Sequence, residues 1–284
     1  MTKTVLVNYV GGYCGNFLTG LIGEALGVNH TLRQRSDKNT YYYLSNDIHT
    51  KYTKIFGKLF DIRKGVLKKE DLKYIAENDM DEYYTHAMHL YNVLDDEDDE
   101  AFVGNLKSHY GDLIKSHGKE YFLTCIHYGF KYKDVTLHDV FEDATVIHIV
   151  TESKRYARLF HLLFHYKTRD DATDKLLQKD TLSRKRLIHE IIDPDFPVPF
   201  DKKSIIVDMG KLIFEKDYAH FNELELALSR ALNAKVKLDK IKFYEYADRN
   251  VSILKSILGD DFLDQEEVEQ IKKSLEYIDK EVRV

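Results

Sequence analysis

Tryptophan is absent from this 284-residue chain, cysteine occurs twice and proline three times. The two cysteines, Cys14 and Cys125, are too few for a disulfide framework and wrongly spaced for a zinc site, which fits a reducing compartment. An excess of positive charge is also missing: 42 lysines and arginines meet 48 aspartates and glutamates, for a formal net charge of −6. Broad basic surfaces are what grip phosphate backbones, so general nucleic-acid binding is disfavoured and any anion site must be local. No apolar run is long enough to cross a bilayer, although hydrophobic residues make up 43% of the chain. Met1 leads straight into strand-like sequence without a secretion signal, and the expectation is a cytoplasmic protein.

What is present begins with TVLVNYVGGYCGNFLTGLIGEAL. Val5, Leu6 and Val7 form a β-rich run; Gly11, Gly12 and Gly15 are expected to allow backbone angles barred to other residues. Phe17, Leu18, Leu21, Ile22, Ala25 and Leu26 then recur at helical spacing. Strand, glycine turn and helix in that order leave unpaired amides at the positive end of a helix dipole, where a phosphate or sulfate is stabilised without a charged side chain. The loop lacks the GxxxxGK[ST] spacing of a nucleotide triphosphatase and the third glycine of GxGxxG, so ATP hydrolysis and a dinucleotide fold are disfavoured. A tight turn with no ligand is the plain alternative.

Three more strand candidates follow: YFLTCIH at Tyr121–His127, ATVIHIV at 144–150 and SIIVDM at 204–209. After the second, Tyr156, Leu159, Phe160, Leu163 and Phe164 share a helical face; after the third, Phe221, Leu224, Leu228 and Leu232 do. Strands alternating with helices imply an α/β fold, a parallel sheet flanked by helices, with ligands at the strand carboxyl ends near the glycine loop, His127 and Thr151. The chain reads as one domain, residues 1–284, with insertions at about 30–100 and 168–203. The first insertion holds Tyr41, Tyr42 and Tyr43 in a tyrosine-rich stretch that could cover a site, and the second ends in the proline-rich connector DPDFPVPF. Residues from about 70 to 116 read as mainly helical, the acidic run at 95–100 as a helix start, and residues 268–278 as a closing amphipathic helix.

The order of parts resembles the sulfotransferase family, P-loop-like three-layer proteins that move a sulfuryl group from 3′-phosphoadenosine 5′-phosphosulfate to an acceptor. VNYVGGYCGNFL looks like that family's 5′-phosphosulfate loop, and CIHY like the segment with its catalytic histidine. VIHIVTESKRYARLF resembles the strand and helix that hold the 3′-phosphate, and IIVDMGKLIFEKDYAHFNELELALSRALN the late strand, loop and helix. The resemblance implies that Gly12, Tyr13, Cys14, Gly15, Asn16 and Phe17 bind the donor through their amides, that Arg155 and Arg158 take the 3′-phosphate, and that His127 is the general base. A small-molecule or glycan acceptor with a hydroxyl or amine and no metal complete the expectation. The sequence departs from the family at Tyr13, where a lysine or arginine is usual, at Thr151 and Leu159 in the 3′-phosphate segment, and in lacking the late RKG motif.

Other readings stay open. His127 can be a strand-end histidine with a structural hydrogen bond. The chain can be a non-catalytic binding protein on the same fold. Cys14 at a helix start can be a nucleophile partnered by His127, or a thiol packed as a small hydrophobe. His161 and His165 lie four apart but lack the glutamate of HExxH, and with His86 and His89 they read as packing or surface residues.

Overall fold

The computed structural model describes residues 2–9, 13–28, 31–35, 40–44, 56–65, 68, 70, 90–94, 98–127, 133–168 and 203–260. Among the described residues four parallel strands form a sheet: β1 (Lys3–Tyr9), β4 (Tyr121–His127), β5 (Thr145–Val150) and β6 (Ile205–Asp208), in the order β4-β1-β5-β6. Strand β1 is central, with Val5 opposite Leu123 and Thr145, and Tyr9 opposite His127 and Ile149. A separate antiparallel pair, β2 (Thr31–Arg35) and β3 (Thr40–Leu44), falls within the tyrosine-rich first insertion, where no strand was expected.

Both sheet faces are covered, which is why the strands carry consecutive apolar residues such as Val5, Leu6 and Val7 rather than strict alternation. One face carries Val5, Val7, Leu123, Cys125, Ile147, Ile149 and Val207. It packs on α1 (Gly15–Ala25), α5 (Lys154–Thr168), α6 (Met209–Ile213), α7 (Tyr218–Ala231) and α8 (Lys240–Leu258). The other face carries Leu6, Ile126 and Val146 against α2 (Phe56–Arg63), α3 (Asp99–Ser116) and α4 (Leu137–Val140), with Phe56, Tyr110 and Phe141 in mutual ring contact. Burying one such side chain contributes about 1.5–3 kcal/mol, against about 0–1 for an exposed ion pair, so these two layers hold the fold.

The expected helical faces are present: Leu159, Phe160 and Leu163 on α5 and Phe221, Leu224 and Leu228 on α7 are buried. Within the acidic run, Asp98 caps α3 by accepting from the Ala101 amide at 2.6 Å, and Asp99 and Glu100 lie in the first turn. Asp99 also pairs with Arg63 at 2.8 Å and with Lys133. The 19-residue helix α8 was not anticipated. The proline connector, His86, His89 and the helix expected at 268–278 lie outside the described residues, as do Gly11 and Gly12. No helix among the described residues is long and apolar enough to cross a membrane.

Candidate functional site

The carboxyl ends of β1, β4 and β5 bring together the start of α1, the end of β4 and the start of α5. At the start of α1 only the Gly15 part of the expected glycine turn falls within the described residues, and it differs from expectation. Cys14 is left-handed, at φ 61°, and Gly15 has no positive φ. Gly15 is needed for space instead: a methyl in place of its hydrogen would stand 2.1 Å from Cγ of Tyr9. The helix therefore starts in contact with the last ring of β1. The Tyr9 hydroxyl donates to Asn16 Oδ1 at 2.5 Å, and Cys125 Sγ on β4 lies 3.7 Å from both. Burial pushes the Cys125 thiol up to about 12, outweighing the lowering by Tyr9, and leaves the sulfur protonated.

Cys14 offers no side-chain cap to α1, and its carbonyl accepts from the Leu18 amide at 3.1 Å. The Cys14 thiol is buried, 4.0 Å from Asn250 Nδ2 on α8. Tyr13 stands where the resemblance leads one to look for a cation, but its ring is in the core, 5.0 Å from Phe160 and edge-on to His161. Burial, with the nearby Asp208 charge, raises its hydroxyl well above the usual phenol range. Phe17 stacks on Tyr246 at 3.9 Å. For Tyr13, Cys14 and Phe17 only the backbone is left to face an anion.

Across the sheet, Asp208 ties the β5 and β6 ends together. Its carboxylate accepts from the amides of Gly210 (2.9 Å) and Lys211 (3.2 Å), capping α6, and from the Glu152 amide (3.3 Å) in the turn that opens α5. Its own amide donates to His220 Nε2 on α7 at 2.9 Å. Thr151 is 3% exposed, and its buried Oγ1 has no hydrogen-bond partner. That oxygen and the Tyr156 side chain crowd the place a Gly210 side chain would fill. Lys211 pairs with Glu152 at 3.4 Å, which raises its amine above the ordinary lysine range. The Tyr156 hydroxyl, pushed up to about 12 by burial and by its hydrogen bond to Glu215, closes this edge.

Of the expected site residues, Gly15, Asn16 and Phe17 open α1, while Arg155 and Arg158 lie half-buried in the first turns of α5, two strands from β4. His127 is the last residue of β4, in register with Tyr9; its side chain, like Gly12 as a whole, lies outside what is described. Sequence reasoning missed Tyr9, Asp208, His220 and a buried pair on the opposite face, Asn8 Nδ2 and His148 Nδ1 at 2.9 Å. The signal for that pair was a polar residue at the same level of two apolar strands. Among the described residues no group of three or more His, Cys, Asp or Glu is arranged to hold a metal ion. Comparison of the chain with protein-family models, curated proteins and solved structures finds no match.

Proposed function

We propose that this chain is a sulfotransferase-like enzyme, built on a P-loop-like three-layer sandwich, that transfers a sulfuryl group from 3′-phosphoadenosine 5′-phosphosulfate to a hydroxyl or amine acceptor. The observation that carries the reading is the meeting, at the carboxyl ends of a parallel sheet, of the start of an 11-residue helix, a strand-end histidine and a helix start with two arginines. Amides of Gly15 to Phe17 suit the 5′ anion, and Arg155 and Arg158 suit the 3′-phosphate as fork-shaped donors. When bound, the donor supplies the sulfuryl group: the acceptor oxygen or nitrogen bonds to sulfur as the bond from sulfur to the phosphate oxygen breaks. His127 takes the acceptor proton, help worth roughly 10²–10⁴ in rate.

A second reading, a binding protein without catalysis, is favoured by one observation: Tyr13 is packed in the core at the position of the usual loop cation. Calorimetry with 3′-phosphoadenosine 5′-phosphate tests both. The enzyme binds it, loses about tenfold or more in affinity in Arg155→Ala with Arg158→Ala, and loses sulfuryl transfer but not binding in His127→Ala. Absence of binding by the unaltered chain overturns the sulfotransferase reading.

A further inference from the structure

His220 is the third residue of α7 and half-buried, and its Nε2 accepts a main-chain hydrogen bond from Asp208 at the end of β6. An accepting Nε2 carries no proton, so the neutral ring must hold its hydrogen on Nδ1, which lies 3.6 Å from Glu223 Oε2. The same Asp208 caps α6 and receives the Glu152 amide that opens α5. One ring nitrogen thus secures the residue on which three elements converge.

We propose that His220 is a pH-sensitive latch on the carboxyl edge of the sheet. When the ring is neutral, α7 is fastened to β6. When Nε2 gains a proton, it becomes a donor facing the Asp208 N–H, two donors meet with no acceptor, and the bond is lost. Histidine is the side chain type whose ordinary charge change falls between about pH 5 and 8, which sets the range to be searched. The charged groups on the elements that meet here are Asp208 on β6, Lys211 on α6, Glu215, Lys216 and Asp217 in the following turn, Glu223, Glu225 and Arg230 on α7, and Glu152 with Lys154, Arg155 and Arg158 at the start of α5. The carboxylates among them attract a protonated ring outward to Glu223, which favours the released arrangement once the proton is on. Release loosens Asp208, and through its bond to Glu152 the turn that presents Arg155 and Arg158. The latch follows from hydrogen bonds alone, whereas its effect on a ligand rests on the nucleotide reading above.

The test uses the full chain labelled with ¹⁵N, followed from about pH 8 to about pH 5. At the upper end the ring nitrogens report the proton on Nδ1; on acidification the Asp208 amide moves in step with ring titration, and this movement is absent in His220→Gln. A ring with its proton on Nε2, or an Asp208 amide that moves equally in His220→Gln, overturns the latch. The tautomer is read in the unaltered protein, so the test stands even where the variant fails to fold. Affinity for 3′-phosphoadenosine 5′-phosphate is expected to fall about fivefold over this range in the unaltered chain and less in His220→Gln, as for one lost hydrogen bond. Equal falls overturn the regulatory consequence; no binding at any pH overturns the nucleotide reading and leaves the tautomer to decide the latch.

Discussion

Gly15 and Thr151 show how single side chains set the candidate site. Gly15 seats α1 against Tyr9, and the ring then holds Asn16 by its oxygen. Gly15→Ala has no room to relax without moving that ring, and we expect a loss of about 3 kcal/mol, in the overpacking range, measured by urea denaturation. Thr151 is the opposite case, a buried hydroxyl with no partner. Thr151→Val keeps the shape and removes the orphan, and should raise stability by about 1 kcal/mol, whereas Thr151→Ser, which keeps the hydroxyl and opens a gap, should lower it. A fall in the valine variant would mean that the hydroxyl has a bonding partner. Neither role was legible in the sequence. A glycine in a turn suggests a special backbone angle, and only the packed structure shows that Cys14 takes the angle while Gly15 makes room.

At the scale of elements, legibility followed the strength of local patterning. The segments around β4, β5 and β6 are short runs of Val, Ile and Leu with helical periodicity after them, and the sheet could be read from them. Helix α8 hides its buried stripe, Phe243, Tyr246, Ala247, Asn250 and Leu254, because a small and a polar residue interrupt the apolar spacing. The β2 and β3 pair sits among tyrosines and charges without an apolar run. Asp208 could not be read at all as a junction, since its partners Glu152 and His220 come from other parts of the chain. Its weight can be measured. Asp208→Ala leaves the Glu152, Gly210 and Lys211 amides without their acceptor and should cost about 3 kcal/mol, while Asp208→Asn, an equally good cap, should restore most of it. Equal losses in the two variants would assign the effect to charge, not to capping.

For the molecule as a whole, the abundance of tyrosine acquires a consequence that composition alone did not show. Burial raises the hydroxyls of Tyr13 and Tyr110, raises Tyr156 and Tyr244 to about 12, and raises the Cys125 thiol to about 12, all above the ordinary range of a free phenol or thiol. These groups are acids kept neutral by the two packed layers, so the native state holds protons that the unfolded chain releases earlier. Above the unfolded values the unfolded state binds fewer protons than the native one, and stability falls with rising pH. The contribution of Cys125, Tyr156 and Tyr244 is complete below about pH 9 and is lost as pH climbs through about 12, while that of Tyr13 and Tyr110 is lost only at still higher pH. Urea midpoints measured from about pH 8 to about pH 10.5 should therefore decline steadily, and Cys125→Ala should flatten the first part of that decline, where only the thiol has begun to titrate in the unfolded chain. A flat profile in the unaltered protein would show that the buried phenols and thiol are not held neutral by the core.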